Sequence, residues 1–314
     1  MGQLSVVPNV VLLGPQQPVP DVGAALAIAG VRGPVALVTA GWQEREADDQ
    51  ALIESMAIEA RNLTLHARSE QVFAADPEFS AAHKSKQARL RLVNDFYRIR
   101  LDHEFEAAHA ISVRHVDEDL LAEERHESVE ALKQLDGDHL ERCQTAHERF
   151  EEQWRLAERP AVAQHRSEIA DILRGVEAIV VMGGHVVSLL NRMKLFDLVG
   201  LAKDKRWFAA AAGAMVLTER IYLFHDFPPH GTGIAEILDR GLGLVNDLVV
   251  LPDPRRRIRT DDAAGIARFV KRIAPATCVA MDTGARVHVA EGRVCHAICR
   301  RLGADGTIER GWSG

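Results

Sequence analysis

Ala209-Ala210-Ala211-Ala212-Gly213-Ala214-Met215-Val216-Leu217 is the stretch whose reading decides the fold. A short apolar run, a cluster of small residues and an apolar helix start read together as a strand that turns abruptly into a helix. Such an elbow needs small side chains, because the backbone bends sharply and holds one residue out over a pocket. The residue at the apex is Ala211, and a methyl group cannot attack a carbonyl.

The segments around the elbow have matching character. Upstream, Ala178-Ile179-Val180-Val181-Met182-Gly183-Gly184-His185 is a buried-strand pattern ending in a glycine pair, followed by Val187, Leu189, Leu190 and Met193 at helical spacing. Downstream come Arg240-Gly241-Leu242-Gly243-Leu244-Val245 and Val249-Val250-Leu251-Pro252-Asp253. Nearer the start, Asn9 to Gly14 reads as a strand, Ala24 to Ala29 as a helix and Pro34 to Gly41 as a second strand. Asp48 to Asn62 then reads as a helix and Leu63 to His66 as a short strand. Apolar, non-alternating strands separated by helices predict a mostly parallel sheet covered on both faces. Trp42 and Gln43 follow the end of a strand, where open α/β sheets place ligands, so they are candidate pocket-wall residues.

In their order and spacing these motifs resemble the dipeptidase E and cyanophycinase-like serine hydrolases, over roughly residues 172–290 and the first strand pair. The resemblance implies a flavodoxin-like, three-layer sandwich of the class I glutamine amidotransferase type. It places Ala211 where the family's Gly-x-Ser-Ala-Gly-Ala elbow has its nucleophilic serine. Gly183, Gly184, Ala212 and Gly213 then correspond to the oxyanion region, with His185 where relatives carry Asn or Asp. Asp253 stands at the position of the general-base histidine. Its reference pKa of about 4, against about 6.5 for histidine, makes it a poor base near neutrality. Glu219 and Asp226 fall in the region that supplies the acidic triad member. His225 and His230, on the loop after the elbow helix, are candidates for a replacement base. Arg255 and Arg257 match a basic run that binds acidic substrate groups in relatives, for which guanidinium geometry is suited. A solvated loop paired with Asp261 and Asp262 is the alternative for that run.

Composition fits an α/β core of enzyme-like size. The 314 residues are 47% hydrophobic, enough for a large core, and the net charge of −7 argues against a basic-patch nucleic-acid binder. Without an apolar run near the length of a bilayer span, or a basic-then-apolar leader, neither membrane insertion nor secretion is expected, and a cytoplasmic location follows. Four cysteines in a chain of this length predict reduced thiols, and Cys295 with Cys299 lacks the second ligand pair of a zinc site. No cofactor or metal is expected.

Residues 68–170 differ in kind from the flanking segments 1–67 and 171–314, which form the core. They are rich in Glu, Arg, His, Ala and Leu, and Leu90, Val93, Tyr97, Leu101, Phe105 and Ala108 recur on one helical face. Further helices are expected over Asp117–Leu135 and His139–Glu158, with a turn at Asp136-Gly137-Asp138. Glu106 with His109, and Glu123 with His126, have the helical spacing of di-iron ligands, but a segment this rich in glutamate makes a solvated helical surface the better reading. The apolar stripe needs a partner. A homo-oligomer, most simply a dimer, or a protein partner would cover it, and an intrachain bundle is the other solution.

Three functions remain open at this level: a catalytically silent hydrolase scaffold serving as a binding or assembly module; an active serine-type peptidase or amidohydrolase whose nucleophile has been replaced at 211; and an oligomerisation protein with a vestigial pocket.

Overall fold

The protein is described from a computed structural model covering residues 9–225 and 234–312. Strand β1 (Val10–Leu13), helix α1 (Val22–Ile28), β2 (Val35–Val38), α2 (Gln50–Met56) and β3 (Ala60–Asn62) open the chain. Helices α3 (Leu65–Ala75), α4 (Pro77–Ser112), α5 (Glu118–Trp154) and α6 (Pro160–Arg174) follow. The core resumes with β4 (Ala178–Val181), α7 (Val186–Leu195), α8 (Leu198–Leu201), β5 (Arg206–Ala210) and α9 (Ala212–Leu217). The chain continues through β6 (Arg220–Leu223), β7 (Glu236–Arg240), β8 (Leu248–Pro252), α10 (Pro254–Arg257) and α11 (Ala263–Ile273). It ends in β9 (Thr277–Met281), β10 (Arg286–Ala290), β11 (Arg293–Leu302) and β12 (Ile308–Trp312).

Strands β3, β2, β4, β5 and β1 pair in parallel in that order. Every residue of β1, β2 and β4 is buried, as continuous Val/Leu/Ile runs require when helices cover both faces. Val10 and Leu12 feed the apolar cluster that contains α6 and α7, whereas Val11 and Leu13 feed the one under α1. The α/β sandwich with a helical addition is therefore the observed architecture, and its largely parallel sheet carries an antiparallel strip at β1–β10–β11–β12.

A feature of that strip fixes the site. β12 lies along one edge of β11, while β10 pairs with the first part of the opposite edge and β9 with the last part. β9 and β10 are thus nearly collinear, interrupted by the turn Asp282–Ala285, whose Ala285 N–H donates to Asp282 O at 3.0 Å. β8 pairs parallel to β9 and β1 pairs antiparallel to β10, so both point their C-terminal ends at this turn.

The connections differ from expectation in three places. The segment 48–62 holds a short helix and then β3, and Leu65 begins a helix rather than lying in a strand. α3 and α6 pack on the core through Leu65, Val72, Val162, Ile169 and Leu173, leaving α4 and α5 as the long antiparallel hairpin. α5 also runs unbroken through Asp136-Gly137-Asp138, where a turn was expected. A helical glycine costs about 1 kcal/mol relative to alanine. Against that, Asp136 is anchored by Arg272 Nε (2.8 Å) and Nη2 (2.6 Å), by Tyr97 Oη (2.8 Å) and by Tyr222 Oη (3.0 Å). The stripe carrying Tyr97 and Leu101 is covered within the chain, by Leu132 and Leu140 of α5 and by Tyr222, Ile237 and Phe269.

Candidate functional site

The elbow has the geometry its composition implies. Ala211 sits at φ 51° and ψ −116°, a conformation that costs a residue with a Cβ about 1–3 kcal/mol. Its N–H donates to Leu13 O at 3.1 Å, tying the apex to the end of β1. The small neighbours are a packing necessity. A Cβ on Gly183 would lie 3.1 Å from the Ala211 Cβ, and one on Gly213 would come within 2.4 Å of Val181 O. The start of α9 lies so close to the end of β4 that only a hydrogen fits at Gly213. Ala212 and Gly213 begin α9, so their N–H groups have no intrahelical acceptor and remain as donors beside the apex.

On the β2–β4 side, Gly184 has φ 121° and its Cβ would collide with Gly41 O at 2.4 Å. His185 N–H donates to that same carbonyl at 2.7 Å. His185 is exposed and caps α7: its Nδ1 accepts from Ser188 N–H (3.2 Å) and from the Ser188 hydroxyl (2.9 Å). Gln43 Nε2 donates to Ser188 Oγ at 2.8 Å, and Gln43 is itself at φ 58° and ψ −124°, a second strained apex over the same strand ends. Trp42 packs into the cluster beneath α1. The sequence singled out Gln43 and His185 but not Ser188, whose helical position carries no compositional signal.

On the other side, Asp253 follows β8 in the left-handed region (φ 51°, ψ 59°), its N–H donating to Met281 O at 3.1 Å. Gly14 N–H donates to Ala285 O at 3.0 Å. Ala211, bonded to Leu13, and Asp253, bonded to Met281, thus flank the Asp282–Ala285 turn on one rim of the sheet. The Asp253 carboxylate faces Arg256 at 3.8 Å. Arg255 is exposed, and Arg257 is half-buried at the edge of a groove of about 1510 Å³ under the α4–α5 hairpin. Arg259 pairs with Asp261 at 3.5 Å.

The remaining residues singled out by sequence separate into two ends. β6 runs in the direction of β8, bridged in parallel by Thr218 and Val245, so His225 ends on the same rim as Asp253. His225 Nε2 is in close contact with Glu236 Oε1, and Arg98 Nε lies 3.2 Å from Glu236 Oε2. Glu236 was not anticipated; it is buried in the strand facing His225. Glu219 lies past the opposite end of α9, its N–H on Val245 O and its carboxylate 3.9 Å from Arg240, away from the rim. Asp226 and His230 lie outside the described residues.

No cysteine offers a reactive thiol. All four cysteines are free, and burial pushes their thiols upward, Cys143 to about 12 and Cys299 to about 11. Among the described residues no three His, Cys, Asp or Glu side chains are grouped to hold a metal. Glu106, His109 and His126 line the groove under the hairpin.

No family model matches the chain, and no curated protein matches it in sequence. Among solved structures, it is similar to a peptidase from an acI-B1 Actinobacterium, at 10% identity and a TM-score of 0.45, over 97% of this chain and 94% of that one. A likeness of that degree carries neither residue roles nor activity across. The reading of the site rests on this chain's own geometry.

Proposed function

We propose that the chain is a catalytically silent hydrolase scaffold of the dipeptidase E and cyanophycinase-like kind, retained as a binding or assembly module. One observation carries this reading. The backbone at residue 211 holds the strained apex that presents a nucleophile, yet the side chain there is a methyl group. Strain of this kind persists where the surrounding structure over-determines it, and its usual use at an apex is to present a reactive atom. Asp253 supports the reading from the opposite side of the rim. A carboxylate is a poorer acceptor than an imidazole for a hydroxyl proton near neutrality.

A second reading has its own support. The small-residue packing at Gly183 and Gly213 is intact, and the His225–Glu236 pair supplies an imidazole and an acid on the same rim. An active peptidase or amidohydrolase would follow if the natural gene encodes serine at 211.

The protein with Ala211 is expected to turn over neither dipeptides nor β-aspartyl peptides above a denatured control, and to resist fluorophosphonate labelling. Loss of a nucleophile leaves only the residual catalysis of the oxyanion region. Ala211→Ser combined with Asp253→His is expected to restore labelling at residue 211 and measurable hydrolysis. Ala211→Ser alone distinguishes the two readings. If it reaches the activity of the double variant, His225 serves as base and the chain is a hydrolase lacking only its hydroxyl. Hydrolysis by the unaltered protein refutes the silent-scaffold reading.

A further inference from the structure

Helix α4 is amphipathic twice over. Its inner face buries Tyr97, Leu101 and Ala108 against the molecule. On the opposite side Leu92, Phe96 and Ile99 stand 58%, 58% and 56% exposed, the largest apolar side chains that α4 shows to solvent. Their spacing of four and then three residues is that of successive d, a and d positions in a coiled coil. Exposed apolar residues scattered singly need no explanation, but three aligned on one stripe mark an interaction surface.

The flanks of the stripe say what covers it. One side carries Asp95 and Asp102 at g positions, and the other carries Arg100 at an e position. Asp95 and Arg100 make no ion pair with the described residues. In an antiparallel self-pair, acidic flank would meet acidic flank and basic would meet basic. In a parallel pair related by a twofold axis along the helix, acidic flank meets basic flank on both sides. Asp95 then stands five residues ahead of Arg100 of the other copy, the spacing at which g and e positions bridge parallel helices. Tyr97, Leu101 and Ala108, the α4 residues buried against the molecule, lie on the side of the helix away from the stripe.

We infer that the Leu92–Phe96–Ile99 face of α4 is the dimerisation surface of this chain, joining two copies as a short parallel coiled coil with reciprocal Asp95–Arg100 pairs. The seam is brief, bounded by Arg89 and His103 at the flanking a positions, so assembly is concentration-dependent. The inference does not depend on whether the elbow is catalytic, and no readout below uses activity.

Sedimentation velocity on the full chain over a wide concentration range is expected to show a monomer–dimer equilibrium. Phe96→Glu with Ile99→Glu is expected to leave only monomer, with the helical circular dichroism and thermal midpoint of the unaltered chain at concentrations where it is monomeric. Asp95→Arg and Arg100→Asp are each expected to weaken the dimer at least tenfold, and the two together to restore most of it. Ile99→Cys is expected to crosslink to itself under mild oxidation, since equal residues face each other only in the parallel arrangement. A chain that stays monomeric at every concentration overturns the inference. So does a dimer indifferent to Phe96→Glu with Ile99→Glu, or one whose paired charge reversal brings no recovery. A monomer whose stripe instead binds a different protein is the same refutation.

Discussion

At the scale of single residues, the elbow was legible because its constraint is steric. A-A-A-A-G-A spells a place where backbones touch: a Cβ on Gly213 would come within 2.4 Å of Val181 O, and one on Gly183 would lie tight at 3.1 Å from the Ala211 Cβ. The sequence could not disclose that Gln43 would share the strained conformation, since glutamine carries no compositional signature for it. Nor did it disclose the Ser188–His185 pairing, which depends on a helix cap three residues long. The positive φ at Ala211 supplies a prediction separate from chemistry. Replacing Ala211 with glycine removes the Cβ that disfavours this conformation, while adding some entropy to the unfolded chain. Ala211→Gly is expected to stabilise the fold by about 1 kcal/mol, read as a raised urea midpoint at unchanged slope. A destabilised variant would mean that the Ala211 methyl packs against Gly183 strongly enough to outweigh its backbone strain.

At the scale of elements, the long helices were found, but a turn was expected inside α5, β3 was read as part of a helix and the start of α3 as a strand. The 3.6-residue pattern through Leu90, Tyr97 and Leu101 gave α4, but Asp136-Gly137-Asp138 has the composition of a turn and lies inside α5. Turn propensity is local, and the partners that overrule it come from far away in sequence. Arg272 contacts Asp136 across 136 positions, and Tyr222 across 86. Burial, with the Asp136 charge beside them, pushes both tyrosine hydroxyls above their ordinary range, so they stay protonated and donate to the carboxylate. Burial works against the Arg272 charge, and Asp136 more than reverses that. The group therefore locks the hairpin to β6, β7 and α11. Asp136→Ala is expected to destabilise the protein by about 3–5 kcal/mol, because it strands a buried guanidinium. Arg272→Met should cost a similar amount by stranding the carboxylate. The double variant should cost clearly less than the sum in a denaturation cycle. Additive losses would show that the two side chains act separately.

At the scale of the molecule, the site exists because two parts of the sheet meet end on. β1 and β8 were legible alone, but β9, β10 and β11 were not read from the sequence, nor was it legible that β9 and β10 lie in line along β11 or that β8 and β1 consequently converge. Pairing across such separations is decided by the whole core rather than by any local pattern. That junction is what sets Ala211 and Asp253 on one rim, through Leu13 on one side and Met281 on the other. Gly14 occupies its tightest point, where an added Cβ would fall 1.9 Å from Asp282 O. The obstacle is backbone, held by the Ala285 N–H and by the ladder on either side, so it has little room to yield. Gly14→Ala is therefore expected to push the ends of β1 and β9 apart, loosening the Gly14–Ala285 and Asp253–Met281 hydrogen bonds. Amide hydrogen exchange should quicken at Ala211, Gly14 and Asp253 together, while the α4–α5 hairpin, anchored elsewhere, keeps its protection. In the Ala211→Ser, Asp253→His background the same change should abolish any restored hydrolysis, since small misplacements of reacting groups cost orders of magnitude in rate. Undisturbed exchange at Ala211 and Asp253 in Gly14→Ala would show that the two sides of the rim are positioned independently.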